Sequence, residues 1–382
     1  MRKYGDKETD KNTDKNMKIL HGITEIAGQN SYAVQGLREI GLDAESVVLM
    51  ENVFGYKNDI CLHIDRNDKK KLPVSVLKLG RFLVRALRKY TVFHFHAGNS
   101  IGFNHELFLY KLFHKKLFYE FHGSDIRDIR KFCETSKMEY LPDMDIDEHT
   151  KERNRKICRK ADGIILHDDE LIPYLPETHA PVYGVPLRVD IERFTPTFPE
   201  TDPKTIRIVH APSRRGIKGT QFILDAFDRL KEKYPNLEFV LVEGKTQEEA
   251  FEIYKTADII VDQVFVGTYG VFSIECMAMG KPVICYIVDR MWKSYPTSLP
   301  VVSADCDSVE QKLEELILDG ARRRSLGEAG RAYVETYHDY RAVAWLLKGI
   351  YEGRYAPVTG REAFRRVKRI KEIKYGADSE EK

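Results

Sequence analysis

The sequence GTYGVFSIECMAMGKPVICY, at residues 267–286, contains the pattern that decides the fold. The apolar run that precedes it, Ala257–Asp262, reads as a buried strand. After the glycine turn at the start of the quoted stretch, a helical pattern continues to Gly280, where Lys-Pro prevents another turn. Val283–Tyr286 then reads as the next strand. Strand, glycine turn, helix and strand make a βαβ unit, and such units build parallel sheets.

The glycine turn of this unit indicates a phosphate ligand. It places free backbone N–H groups at a helix N-terminus, which carries about half a positive charge. Glu275 lies about one turn inside the helix, and its carboxylate can accept hydrogen bonds from sugar hydroxyls next to a phosphate. The pattern suggests a ligand that has both groups, such as a nucleotide sugar. An ordinary α/β unit with a solvated Glu275 is the alternative interpretation.

The segment GVFSIECMAMGKPVI resembles the donor-binding segment of retaining glycosyltransferases of the GT-B fold, the large family four group. The resemblance implies that Glu275 binds the donor ribose. It also implies that backbone amides before Glu275 hold the diphosphate, namely those of Gly270, Val271, Phe272 and Ser273. Members often carry a second Glu eight residues earlier, where this chain has Gly267, so the two-Glu motif is half present.

A second candidate anion site is the sequence APSRRGIKGT at residues 211–220, which leads from a predicted strand into a helix. An Arg can grip two phosphate oxygens, while a Lys acts as a point charge. A solubilising basic loop is the alternative. The resemblance implies that an Arg and the Lys of a Lys-Gly pair neutralise the leaving diphosphate. Lys218 matches that Lys, and Arg214 and Arg215 are both candidates for the Arg.

Two weaker candidates lie at other strand ends. Gly28 follows the first predicted strand, Met17–Gly22, and its lack of a side chain allows a ligand to approach the backbone. The resemblance places this loop opposite the donor phosphates. Glu243 ends the predicted strand Leu237–Glu243 on the ligand side, where such a loop can lie near the base of the donor.

Histidines mark two strands of the first half. His94 and His96 fall on one face of a predicted strand, but spacing suggests no third ligand, so no metal is expected. His122 ends another predicted strand, at the edge where open α/β sheets bind ligands. The resemblance implies that His122 contacts the transferred sugar or the acceptor. A satisfied histidine in a capped turn is the alternative.

Composition sets limits on the class of protein. A length of 382 residues predicts two domains. With 61 Lys and Arg against 59 Asp and Glu, the net charge of +2 argues against a general nucleic-acid binder. Six cysteines without a CxxC pair predict reduced thiols and a cytoplasmic protein. No apolar run reaches the roughly 18 residues of a membrane span.

The expected domain plan begins with a disordered leader that lacks the apolar region of a signal peptide. The segments are the leader (1–16), an acceptor-side Rossmann-like domain (17–186), a proline-containing linker (187–204), a nucleotide-sugar-binding Rossmann-like domain (205–340) and C-terminal helices with a charged tail (341–382). The basic amphipathic helix Glu362–Lys374 either packs back on the first domain or makes peripheral contact with an anionic membrane.

These patterns and the resemblance together predict an α/β protein of the GT-B fold, with two Rossmann-like doubly wound domains facing an interdomain cleft. The resemblance implies a retaining enzyme that moves a sugar from a nucleoside-diphosphate sugar to an acceptor hydroxyl, without a cofactor or metal, in polysaccharide or glycoconjugate biosynthesis. The acceptor would be a sugar, a lipid-linked molecule or a small molecule. The alternatives are a nucleotide-sugar epimerase or hydrolase, and a non-catalytic nucleotide-sugar-binding partner of an envelope-assembly complex.

Overall fold

The computed structural model describes residues 17–376 apart from 53, 54, 66, 67, 135, 137 and 140–144. The predicted leader and the end of the charged tail lie outside the described residues. The chain divides into two compact units. The first comprises the residues up to Asp128, 144–188 and those from Tyr340 onward, and the second comprises 129–143 and Val189–Asp339. Most of the predicted linker therefore groups with the second unit.

The first unit is built on a seven-stranded parallel sheet in the order β3-β2-β1-β4-β5-β6-β7. Its strands are β1 (Lys18–Ile23), β2 (Asp43–Val48), β3 (Ile60–Cys61), β4 (Val92–His96), β5 (Lys116–Phe121), β6 (Gly163–Leu166) and β7 (Val182–Gly184). The helices in this part of the chain are α1 (Gln29–Glu39), α2 (Leu72–Lys89), α3 (Leu107–Leu112), α4 (Ile129–Cys133, in the second unit) and α5 (Glu148–Lys160).

The second unit contains a four-stranded parallel sheet in the order β11-β10-β8-β9. Its further elements are β8 (Ile206–His210), α6 (Arg215–Lys218), α7 (Thr220–Lys233), β9 (Leu237–Leu241), α8 (Gln247–Lys255), β10 (Ile259–Val261), α9 (Val271–Ala278), β11 (Val283–Ile284), α10 (Val309–Leu318) and α11 (Gly320–Tyr337). Because β9 and β10 lie on opposite sides of β8, the chain order reverses between β8 and β10. Open α/β sheets bind ligands beyond the strand ends at such a switch point.

Two last helices return to the first unit, α12 (Tyr340–Tyr351) and α13 (Gly360–Tyr375). α12 packs tightly on α1, since a Cβ on Gly36 would lie 2.8 Å from the Cβ of Ala344. On α13, Val367 and Ile370 are buried in the same core, while Ile373 is exposed. Most of the apolar side of α13 is therefore packed inside the unit.

Each face of the first sheet has its own core. Alternate residues of a strand point to opposite faces, so Phe93 and Phe95 of β4 join a core with α2, α3 and α5. Val92 and Phe118 point the other way, into a core with α1, α12 and α13. The histidines of β1 and β4 share the parity of this second group, which places them on the α12 side of the sheet.

Helix bounds differ from the sequence prediction at several places. The sequence predicts a basic amphipathic helix over Lys78–Lys89, but α2 begins earlier, at Leu72, because a proline in the first turn fits the beginning of a helix. The sequence also predicts charged helices over 127–140 and 143–160. In the first stretch the described residues form only the five-residue α4, and in the second α5 begins only after Asp147 caps it. Residues 140–144 lie outside the described part. No helix among the described residues is long and apolar enough to cross a bilayer.

Candidate functional site

The switch point of the second unit is held together by one buried carboxylate. Asp262 directly follows β10 and is fully buried. Its Oδ1 atom lies 2.5 Å from the Nζ of Lys218, and its Oδ2 accepts a hydrogen bond of 2.6 Å from the hydroxyl of Ser273. The N–H of Val264 also donates to the carbonyl of Lys218 at 3.1 Å. The loops after β8 and β10 are therefore tied to each other and to α9.

The N-terminus of α9 is open to a ligand. A Cβ placed on Gly270, the N-cap residue, would meet nothing within 4 Å, and no side chain caps the helix. Within the described residues, the N–H groups of Val271, Phe272 and Ser273 donate to no acceptor. Free N–H groups and the helix dipole favour an anion at this point. These are the backbone N–H groups that the sequence predicts to bind phosphate, and in the structure they lie together at one helix end.

Glu275 is the buried carboxylate beside this helix end. It is only 7% exposed, and its Oε1 atom has no hydrogen-bond partner within the described residues. Burial raises the pKa of Glu275 to about 8, and the positive charge of Arg193 offsets part of that effect. A buried polar atom without a partner costs free energy. A ligand that donates hydrogen bonds to Glu275 would remove that cost and favour the ionised form.

Backbone geometry explains why the second Glu of the family motif is missing. Gly267 has φ of +79°, a conformation that residues with a side chain rarely adopt. A Cβ at this position would also lie 3.0 Å from the Cβ of Val288. A glutamate at position 267 would therefore be strained in this loop.

The two candidate arginines differ in their surroundings. Arg215 forms a two-pronged ion pair with Glu243, with Nε–Oε1 at 2.8 Å and Nη2–Oε2 at 2.5 Å. Arg214 is exposed and has no ion-pair partner among the described residues. The sequence places Glu243 near the base of a donor, but in the structure its carboxylate is paired with Arg215. This pair is exposed to solvent, so it is weak enough for a ligand to replace.

Gly28 is surrounded by protein atoms. A Cβ on Gly28 would lie 2.6 Å from ring atoms of both Tyr32 and Tyr56. The helix that follows is already capped, because the Glu25 carboxylate accepts hydrogen bonds from the N–H groups of Asn30 and Ser31. The start of α1 therefore holds its own anion, whereas the start of α9 does not.

The first unit contains a buried cluster of histidines at the β1–β4–β5 strands. His94 and His96 of β4, predicted to share a face, are joined by His21 of β1 and by His122 just after β5. Glu120 is fully buried beside them. Burial raises the pKa of Glu120, but Arg188 at 2.6 Å and the histidines hold the pKa well below its usual value.

All four imidazoles are neutral near pH 7. Burial lowers the pKa of His21 and His96 far below the usual value, lowers that of His94, and lowers that of His122 to about 4. A neutral imidazole donates from one nitrogen and accepts at the other. The hydrogen bonds of one ring therefore fix the tautomer of the next.

A continuous chain of polar contacts starts at the ionised carboxylate of Glu120. The contacts, in order, are Glu120 Oε2 to His94 Nε2 (3.2 Å), His94 Nδ1 to Tyr351 OH (2.6 Å), Tyr351 OH to His21 Nε2 (2.9 Å), His21 Nδ1 to His96 Nε2 (3.2 Å), and His96 Nδ1 to His122 Nε2 (3.0 Å). The first of these contacts is an ion-pair distance without hydrogen-bond geometry, because His94 Nε2 has no hydrogen-bond partner among the described residues. A proton on that nitrogen, which the charge of Glu120 favours, would direct every donor toward the carboxylate. His122 would then carry its proton on Nε2 and present Nδ1 as an acceptor.

The sequence patterns did not identify Asp262 in the candidate donor site, nor His21, Glu120, Arg188 and Tyr351 in the histidine cluster. Asp262 follows a buried strand on the ligand side, which is the same signal that indicates His122. From the sequence, Asp262 is nevertheless interpreted only as the last residue of that strand. Glu120 and Tyr351 gave no signal, because Tyr351 comes from a helix distant in sequence. His21, His94 and His96 are also near enough to one another to hold a metal ion. In the structure their ring nitrogens pair with each other, with Tyr351 and with Glu120.

We expect Glu275→Gln to stabilise the ligand-free protein at alkaline pH. The pKa of Glu275 is raised from 4.5 to about 8 in the folded state, so the wild-type protein loses stability as the pH rises between these values. The variant lacks this loss and should be roughly 2–4 kcal/mol more stable once the carboxylate is ionised. Denaturant unfolding across that pH range measures the difference. Glu328→Gln, on an exposed side chain of α11, is the control, and equal stability of wild type and Glu275→Gln throughout would contradict the expectation.

We expect Tyr351→Phe to break the histidine chain at its centre. The change leaves the Nε2 atom of His21 and the Nδ1 atom of His94 without their shared partner, which costs about 1–3 kcal/mol for each buried group. It also removes the constraint on the tautomer of His122. Nitrogen-15 NMR of the imidazoles should show His122 protonated on Nε2 in the wild type and a mixture in the variant. Protonation of wild-type His122 on Nδ1 would show that the chain runs in the opposite direction.

No protein-family model matches the chain. Among curated proteins, it is similar to a D-inositol 3-phosphate glycosyltransferase of Corynebacterium jeikeium, with 22% identity over 52% of this chain; the match spans only 60% of that relative's length. Among solved structures, it is similar to a sucrose-phosphate synthase of Thermosynechococcus elongatus, with a TM-score of 0.64 at 17% identity, covering 89% of this chain and 99% of that one. HepE of Anabaena, solved with UDP-glucose, has a TM-score of 0.61 at 12% identity, covering 88% and 100%. The resemblance to glycosyltransferases predicted from the sequence is thereby confirmed, and the chain has the GT-B fold.

Proposed function

We propose that the chain is a glycosyltransferase that moves a sugar from a nucleoside-diphosphate sugar to an acceptor hydroxyl with retention of configuration. The observation that carries the proposal is the buried, unpartnered oxygen of Glu275 beside the open N-terminus of α9. The carboxylate of Glu275 can accept hydrogen bonds from hydroxyls, and the adjacent N–H groups at the start of α9 can donate to a phosphate. The name of the curated relative supports sugar transfer, and the UDP-glucose in HepE supports this donor class.

In this proposal, the second unit stabilises the leaving diphosphate. The bond between the anomeric carbon and the diphosphate oxygen breaks, and negative charge grows on that oxygen. Lys218 and the N–H groups at the start of α9 are held in advance for this charge, and such preorganised electrostatic stabilisation commonly contributes most to catalysis. Arg214, which is exposed, adds a second cation once the ligand is bound. Asp262 holds Lys218 in position by a contact of 2.5 Å. Glu275 accepts hydrogen bonds from the ribose.

No side-chain nucleophile is assigned. The acceptor oxygen forms the new bond to the anomeric carbon, and its proton passes to an oxygen of the departing diphosphate. We assign His122 a contact with the transferred sugar or the acceptor, through its Nδ1 atom. The chain of contacts to Glu120 supports this role, since it leaves Nδ1 as an acceptor for a hydroxyl group. A metal-free reaction, a cytoplasmic location and a role in polysaccharide or glycoconjugate biosynthesis are further parts of the proposal.

The GT-B fold does not by itself distinguish transfer from epimerisation or hydrolysis. Incubation of the protein with each nucleotide sugar, with and without a mixture of acceptors, separates these activities. Product that appears only with an acceptor supports transfer, and retained configuration in that product supports the finer assignment. Free sugar or an epimer formed without an acceptor would contradict transfer. Tight donor binding without turnover on any acceptor would identify a non-catalytic binding protein.

We expect Lys218→Ala and Glu275→Ala each to weaken nucleotide-sugar binding or turnover by roughly 1.5–3 kcal/mol, the scale of hydrogen bonds to charged groups. Lys218→Ala should act on the diphosphate, so it should also weaken binding of the free nucleoside diphosphate. Isothermal titration calorimetry measures both. Lys233→Ala, on an exposed side chain of α7, is the matched control. Unchanged binding and turnover in both site variants would refute the donor site.

We expect Arg214→Ala to weaken diphosphate binding more than Arg215→Ala does. Arg215 must first leave Glu243, whereas Arg214 has no competing ion pair within the described residues. Removal of the competitor by Glu243→Ala should therefore increase the contribution of Arg215. Titration of a nucleoside diphosphate into the three single variants and the Glu243→Ala/Arg215→Ala double variant tests this order. A larger loss from Arg215→Ala in the wild-type background would reverse the assignment.

A further inference from the structure

Exposed apolar side chains are concentrated on two helices of the first unit. Of the 14 large hydrophobic residues exposed in the described part of the chain, eight belong to α2 or to α3 and the residue after it. They are Leu72, Val74, Val76, Leu77, Val84, Phe108, Leu112 and Phe113, each about half exposed or more. Single exposed apolar residues are ordinary on protein surfaces, whereas a group of this size indicates an interaction site.

These eight residues belong to one side of the first unit. Leu79 and Phe82 of α2 are buried in the same core as Leu107 and Tyr110 of α3. Both helices therefore cover the same face of the seven-stranded sheet, and they flank β4 in the sequence. On α2, Leu72 and Val76 lie on the same helix face as buried Leu79, whereas Val74, Leu77 and Val84 lie on the opposite face. We call this opposite, outer face of α2, together with the exposed apolar residues of α3 and Phe113, the α2–α3 surface.

The α2–α3 surface also carries positive charge. Val74, Leu77, Arg81, Val84 and Arg88 follow the i, i+3, i+4 spacing of one helix face, so cations and apolar side chains alternate along it. The cations Lys78, Arg81, Arg85 and Arg88 have no acidic partner among the described residues. The sequence contains no Asp or Glu between Asp68 and Glu106, and Glu106 is buried.

We propose that the α2–α3 surface docks the protein on a membrane that contains anionic lipids. Helices with this composition lie in the plane of the interface, with apolar side chains between the lipids and Lys and Arg among the phosphate head groups. Charge complementarity selects this occupant over a second copy of the chain, because two copies of this surface would bring like charges together. The site lies within the first unit and does not depend on the proposed reaction.

Flotation of the full chain with lipid vesicles tests the proposal. The protein should float with vesicles of phosphatidylcholine mixed with phosphatidylglycerol and bind at least about tenfold more weakly to phosphatidylcholine alone. Leu77→Ser/Val84→Ser should reduce binding by removing inserted side chains, and Arg81→Gln/Arg85→Gln should reduce it by about tenfold or more. Added salt should weaken the wild type more than the arginine variant.

Matched changes on α13 are the control. Ile373→Ser/Arg365→Gln replaces one exposed apolar residue and one exposed cation of that helix, and it should leave vesicle binding unchanged. All altered residues are exposed, so circular dichroism should show the same fold in every variant. No flotation of the wild type, equal binding to both kinds of vesicle, or full binding by both α2 variants would overturn the proposal. A dimer in size-exclusion chromatography that the α2 variants abolish would assign the surface to a second copy and also overturn it.

Discussion

The candidate donor site depends on one buried charge, the carboxylate of Asp262. A buried carboxylate is stable only with partners, and Asp262 has the ammonium group of Lys218 and the hydroxyl of Ser273. These partners belong to the loop after β8 and to α9, the two segments that diverge at the switch point of the sheet. The electrostatic requirement of one side chain therefore fixes the relative position of the cation and the helix N-terminus. The groups that we propose to bind phosphate are therefore held before any ligand arrives.

The second unit could largely be predicted from the sequence because its signals are local. The βαβ pattern gave β10, α9 and β11 to within a few residues, and the positions of Lys218 and Glu275 followed from glycine turns. The sequence could not predict which of several possible ion pairs forms at this site. Whether Arg214 or Arg215 is occupied depends on Glu243, which is local to neither in sequence. The strain at Gly267 also depends on a neighbour, Val288, that no sequence spacing indicates.

In the first unit, the sequence pattern revealed the histidines, but their role depends on partners that are distant in sequence. Alternation correctly placed His94 and His96 on one face of a strand, but a metal was considered only with a third ligand nearby in sequence. The hydroxyl that joins the histidines comes from Tyr351, and the charge that orients them comes from Glu120 and Arg188. The apolar face of α13 was also visible, yet only packing showed that most of this face is buried, whereas α2 buries one face and also exposes five large apolar side chains.

The return of the chain to its first unit has a consequence for synthesis. A ribosome releases the N-terminal segment first, so the strands with His21, His94 and Glu120 emerge long before α12. Until α12 arrives, this face of the sheet lacks the part of its apolar cover that α12 and α13 supply, and also the hydroxyl of Tyr351. The second unit lies entirely before Tyr340 and includes no residue from the last two helices. Maturation therefore proceeds out of chain order: the segment made later can finish folding first, and the segment made first must wait for the final helices.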